Sequence, residues 1–199
     1  MQTRLPTEER QTAIVAAALE LARDCSPALS TTTAIAAAVG VTQGAVFKHF
    51  PTKGAIWLAA MRWVREQLLT ALQSAAAGAP TPLAALRAVF RAHVEFVGTH
   101  PGVPRFIFHE LQQPAESEAK QEVRAVLQGY RKLLMGLLGA AVRQGQAPAD
   151  LDQEAAATLF VGIVQGLVMQ SMLSSKPGTL KSQADRVFAI YLRGICEAS

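Results

Sequence analysis

The stretch Thr31 to Lys53, TTTAIAAAVGVTQGAVFKHFPTK, decides the fold, because its small, apolar and polar residues fall where two short helices crossing at a tight turn need them. Thr32 or Thr33 is placed to cap the first helix through a side-chain oxygen, and Ile35, Ala36 and Val39 then share one buried face at helical spacing. Ala36 is small where the second helix must cross closely, and Gly40 is suited to the positive φ that ends the first helix and turns the chain. Thr42 caps the next helix. Its Val46 and Phe50 point inward together, which leaves Gln43, Ala45, Phe47, Lys48 and His49 outside. The pattern is that of a helix-turn-helix, with an outer face available to DNA.

Charge supports that reading. The chain of 199 residues carries 19 Lys and Arg against 15 Asp and Glu, a formal charge of +4, with a pI near 9.4. No acid occurs between Asp24 and Glu66, whereas Lys48, Lys53, Arg62 and Arg65 do, and from Glu66 onward acids and bases nearly balance. The positive field therefore comes from the N-terminal part, as expected where one face meets a polyanion.

Thr33, Ile35, Ala36, Gly40, Val41, Gly44, Ala45, Phe47, His49, Phe50 and Lys53, with Arg10, Ile14, Val15 and Ala18 upstream, resemble the N-terminal signature of the TetR family of transcriptional regulators. Phe47 stands where many relatives carry Tyr, which keeps the ring and removes a hydroxyl that bonds a phosphate. The resemblance covers the first quarter to third of the chain. It implies a sequence-specific, DNA-binding repressor that meets a pseudo-palindromic double-stranded operator as a homodimer, the last two helices of each subunit forming a four-helix bundle. It also implies release by a small effector, hydrophobic or amphipathic, held between the C-terminal helices. Thr33, Thr42, Phe47, His49 and Lys53 are expected on phosphates and Gln43, Ala45 and Lys48 nearest base edges, with Thr32 and Gly44 completing the DNA-facing set.

Outward from the motif, every element reads as helical, for an all-α fold divided into a DNA-binding domain, 1–52, and an effector-binding and dimerisation domain, 53–199. Residues 1–7 read as a loose basic arm. Thr7 with Glu8 and Glu9 makes a capped helix entry running to about Asp24, with Ile14, Ala18, Leu21 and Cys25 as its apolar stripe. A long helix from Lys53 to about Ala77 repeats Trp57, Met61, Val64, Leu68 and Leu72, and AAAGAPTP at 75–82 is a linker into the next. That helix has Leu83, Leu86, Phe90, Val94 and Val97 inward. Residues 103–113 are apolar nearly all round and are expected to be buried or to line a cavity. A helix over 115–144 directs Val123, Leu127, Tyr130, Leu134, Leu137 and Leu138 inward.

The run at 150–175 approaches the ~20 apolar residues of a membrane span. Gln165, Gln170, Ser171 and two glycines interrupt it, so it reads as a helix buried between subunits, with Gly162 and Gly166 allowing close approach of a partner. Residues 180–195 end the chain, with Ala184, Val187, Phe188 and Tyr191 at helical spacing. Cys25 and Cys196 lie far apart and the start resembles no signal peptide, so a cytoplasmic protein without disulfide or zinc is expected.

Chemistry beyond DNA binding is sparse. His93-x-Glu95 and His109-Glu110 are partial acid–base or metal pairs at most, with no H-E-x-x-H and no Gly-rich phosphate loop, so neither enzyme activity, cofactor nor metal is expected. Trp63, Phe90, His93, Phe106, His109, Tyr130, Gln165 and Met169 form the candidate effector set, aromatic walls with a few polar groups, against the alternative of a filled core. The alternative function is a helical small-molecule-binding or scaffold protein without regulatory DNA binding.

Overall fold

The computed structural model describes residues 6–173 and 179–196. These hold nine α-helices and no strand: α1 (Thr7–Asp24), α2 (Thr32–Ala38), α3 (Gln43–His49), α4 (Lys53–Ala77), α5 (Pro82–Thr99), α6 (Gly102–Gln112), α7 (Glu118–Arg143), α8 (Gln153–Leu173) and α9 (Thr179–Cys196). The expected basic arm falls mostly on residues 1–5, outside the described residues, as do 174 and 175 at the expected end of the eighth helix.

Side-chain caps set most of the starts. Thr31, Thr42, Thr52, Thr81, Ser117 and Asp152 each accept a hydrogen bond from the backbone N–H three residues on, at 2.9–3.2 Å. Three expected helix starts change. The cap of α2 is Thr31, not Thr32 or Thr33, which lie inside the helix. Ser117 starts α7 three residues later than expected, since its oxygen takes the Lys120 N–H at 3.0 Å. At α1 Thr7 is the first helical residue and caps nothing; Pro6 precedes it without a side-chain bond. Two helices end on left-handed glycines, Gly40 at φ 67° and Gly145 at φ 68°. At Gly40 the N–H bonds the Ala37 carbonyl at 3.1 Å and Val41 N–H bonds Ala36 at 3.0 Å, which closes α2 and turns the chain into α3.

The chain forms two compact units, Met1–Glu66 with His100–Ala125, and Gln67–Thr99 with Val126–Ser199, so α4 and α7 each carry residues of both. In the first, α1 packs on α2, α3 and α6 around Ile14, Ala18, Ile35, Val46 and Phe50. Leu21 and Cys25, expected in this stripe, are only half-buried, and Val15, Leu19 and Ala22 take their place. Trp57 of α4 stacks on Phe106 of α6 with centroids 4.6 Å apart, and Arg62 and Arg65 hold Glu122 at 3.2 and 2.8 Å. Gly102 lies so close to α1 that a Cβ there would stand 1.8 Å from the Leu19 carbonyl oxygen. Helix α6 is less enclosed than its composition suggests, with Leu111 51% exposed.

In the second unit α5, α8 and α9 pack on one another around Phe90, Phe160, Phe188 and Tyr191, whose rings meet at 4.6–6.0 Å. Tyr191 donates from its hydroxyl to the Ala156 carbonyl at 3.1 Å. The stripe of α7 keeps Val123, Tyr130, Leu134 and Leu138 buried as expected, but Val126 takes the place of Leu127, which is 43% exposed, and Leu137 is half-buried. Helix α8 has the length and composition of a membrane span, yet Ala156, Phe160, Val164, Leu167 and Val168 are buried, as in a helix packed along one side.

Candidate nucleic-acid interface

Thr42 builds the reading helix. Its Oγ1 accepts the Ala45 N–H at 3.2 Å and so starts α3, and the helix is anchored from below by Val46, fully buried, and Phe50. With that face fixed, Gln43, Gly44, Phe47 and Lys48 are exposed and Ala45 and His49 half-buried. The Gln43 amide donates to Thr32 Oγ1 at 2.7 Å, which ties the exposed end of α3 to the start of α2 and orients the Gln43 side chain in advance. Thr33 is exposed beside it. Lys53, at the start of α4, donates to the Ala28 carbonyl at 2.9 Å, and burial holds its pKa below the ordinary lysine value, opposed by nearby Cys25. None of α2, α3 or α4 has an acid in its first turn, so the positive ends of these helix dipoles are not neutralised.

The residues expected to hold an effector fall into both units. Trp63, Phe106 and His109 belong to the first, where Phe106 is 1% exposed under Trp57, Trp63 meets His100 edge-on at 5.3 Å, and His109 is half-buried on α6. Phe90, His93, Tyr130, Gln165 and Met169 belong to the second. There Phe90 and Tyr130 both border Phe160, and His93 Nδ1 lies 3.2 Å from the Tyr130 hydroxyl. Burial lowers the His93 pKa from 6.5 to about 4, so its ring is neutral, and burial also raises Tyr130 well above its ordinary value. Gln165 and Met169 do not join this cluster: they lie on the exposed side of α8, with Leu159, Gly162 and Gly166. The partial acid–base pairs are likewise separated into other contacts. Glu95 pairs with Lys181 at 2.5 Å while His93 turns to Tyr130, and Glu110 accepts from the Ser117 hydroxyl.

Residues 14–60, from α1 into α4, match the family described as bacterial regulatory proteins, tetR family, and residues 110–187 match the tetracyclin repressor-like C-terminal domain. The chain belongs to the TetR family. It is a DNA-binding transcriptional regulator, with α3 in the position of a recognition helix. Among relatives of this TetR-family chain, the nucleoid occlusion factor SlmA of Haemophilus ducreyi is 26% identical over 151 residues, covering 74% of each chain. The HTH-type transcriptional repressor BepR of Brucella suis is 25% identical over 202 residues, covering 98% of this chain and 95% of BepR. The fold is that of the regulator FadR from Bacillus subtilis, solved in complex with stearoyl-CoA, at a TM-score of 0.80 and 21% identity over 92% of this chain and 98% of FadR.

Three features of the TetR-family module escape a linear reading. Thr31 is one of three consecutive threonines, and only its place three residues before the Ala34 N–H singles it out. The Gln43 to Thr32 bond spans 11 residues and the Lys53 to Ala28 bond 25, so no local pattern announces either.

Proposed function

We propose that this regulator binds a pseudo-palindromic operator as a homodimer in the bacterial cytoplasm, and is a repressor released by a hydrophobic or amphipathic small molecule. The observation that carries the reading is α3: a Thr42-capped helix, anchored by Val46 and Phe50, that turns Gln43, Phe47 and Lys48 outward in a stretch without carboxylates. Gln43, Ala45 and Lys48 approach base edges, while Thr33, Thr42, His49 and Lys53 approach phosphates. Thr32 and Gly44 support them, and the Phe47 ring packs against the backbone.

The dimer reading is supported by the second unit. Leu159, Met169 and Leu173 of α8 and Ile190 of α9 are 44–76% exposed, and Gly162 and Gly166 have nothing within 4 Å of where a Cβ would lie. A second copy seated on this uncharged side of α8 covers it and sets two α3 helices on successive half-sites roughly 34 to 36 Å apart. The effector belongs with the Phe90, His93 and Tyr130 group, and α4, continuous from Lys53 to Ala77, is the element whose tilt carries the response to α3. A long-chain acyl-CoA is the compound class to test first, since FadR was solved with stearoyl-CoA.

Fluorescence anisotropy of a labelled fragment from the gene's own upstream region, titrated with protein with and without stearoyl-CoA, tests this. The expected result is salt-dependent binding that stearoyl-CoA weakens by about 5- to 150-fold. Failure to bind upstream DNA above the level of random DNA contradicts the regulator reading. Unchanged affinity with stearoyl-CoA removes that compound class alone.

A further inference from the structure

The first unit holds a half-open cavity of about 390 Å³, apart from the DNA-reading face and from the Phe90, His93 and Tyr130 group, and of the expected effector residues only Trp63 lines it. It lies between Ala16, Leu19 and Glu20 of α1, Trp63 of α4, and His100 and Gly102 at the start of α6. We propose that this cavity is a second small-molecule site, and that it takes an arylalkylamine, a flat ring system carrying an ammonium group on an alkyl carbon.

Size and walls fit such a guest. The volume falls within the roughly 300 to 1,000 Å³ of small-molecule pockets. Ala16, Ala17, Leu19 and Trp63 make most of the lining, and Trp63 is in edge-on contact with the His100 ring at 5.3 Å. The seam behind the cavity is tight, because Gly102 and the Leu19 carbonyl are as close as a residue without Cβ permits.

Charge selects the guest. Among the described residues no Lys or Arg lines the cavity, and the one carboxylate there is Glu20. Glu20 is bonded to Arg23 at 2.7 Å, but Arg23 is shared with Asp24 at 3.2 Å, so the three groups together carry one net negative charge. An indole and a carboxylate with excess negative charge together favour an ammonium group over an anion. The preference is therefore opposite to that of a site for acidic ligands such as acyl-CoA, which lets the two be told apart.

The test is calorimetric titration of the full chain at pH 7 with 1-naphthylmethylamine, 1-naphthalenemethanol and 1-naphthoate. The amine is expected to bind at one site per chain, the alcohol about fivefold more weakly and the acid more weakly still. Glu20→Gln brings amine and alcohol to within about twofold of each other. Ala16→Leu, at an exposed helical position that accepts Leu without refolding, fills the cavity mouth and weakens both by about tenfold. Absence of amine binding, naphthoate binding as tightly as the amine, or amine affinity unchanged in Ala16→Leu overturns the proposal.

Discussion

The α2–α3 pair and the α8–α9 pair both present one face outward, and they do so for different reasons. In α2–α3 the outward residues are polar, small or, in Phe47, half-exposed, and each key residue has its cause inside the chain: Gly40 stands at φ 67° because the turn demands it, and Thr31 and Thr42 are caps with bonded N–H groups. In α8–α9 the outward residues include Leu159, Leu173 and Ile190, and Gly162 and Gly166 are ordinary helical glycines beside open space. Among the described residues nothing calls for glycine at the last two positions, and Gly in a helix interior is unfavourable by roughly 0.5–1 kcal/mol relative to Ala. The first region is complete in one chain; the second is the face that the proposed dimer would cover.

The largest effect we predict tests the completeness of the first region. Phe106, 1% exposed and stacked on Trp57, is part of the core on which the reading module rests, so Phe106→Ala is expected to lower stability by about 3–5 kcal/mol in denaturant titration. A loss below about 1 kcal/mol shows that the ring fills no core, and returns it to the effector set.

Next comes Gly162→Leu, which separates the two regions directly. In an isolated chain the substitution meets open space and improves helix propensity, so stability holds or rises. In a dimer closed over α8 it holds two backbones apart, and dimer dissociation measured by sedimentation is expected to strengthen by about tenfold or more. A dimer unaffected by Leu at this position places the interface elsewhere.

A pH-dependent effect belongs to His93. Its pKa is about 4 when folded against 6.5 for the free side chain, so between these values the unfolded chain binds the extra proton. The contribution of the neutral ring is complete above pH 6.5 and is lost as pH falls towards 4, at a slope of at most about 1.4 kcal/mol per pH unit. Melting temperature against pH for the wild type and His93→Gln checks this: the variant is expected to lack that part of the decline.

Much of this comparison is legible in the amino-acid order, and the limit of legibility is physical. Both ends of α4, Lys53 and Ala77, and its stripe of Trp57, Met61, Val64, Leu68 and Leu72 follow from spacing, since all five are buried by a helix with one inner side. Leu127 and Val126 are neighbours on the margin of such a side, and periodicity does not choose between them; packing buries Val126. Effector candidates were harder. Aromatic residues announce a core and a pocket alike, and Trp63 and Tyr130 fall in different units because α4 and α7 each carry residues of both. The Glu20 cavity depends on α1 meeting α6 across some eighty positions, which no local pattern contains.

The central claim is that the outer face of α3 reads sequence while its surroundings hold phosphates. The direct measurement is affinity for a footprinted operator and for random DNA, for wild type, Gln43→Ala and Lys53→Ala, across a range of salt. Gln43→Ala is expected to cost about 1–3 kcal/mol on operator and little on random DNA, whereas Lys53→Ala weakens both alike and lowers the salt slope by about one. Equal loss on operator and random DNA for Gln43→Ala would contradict the account.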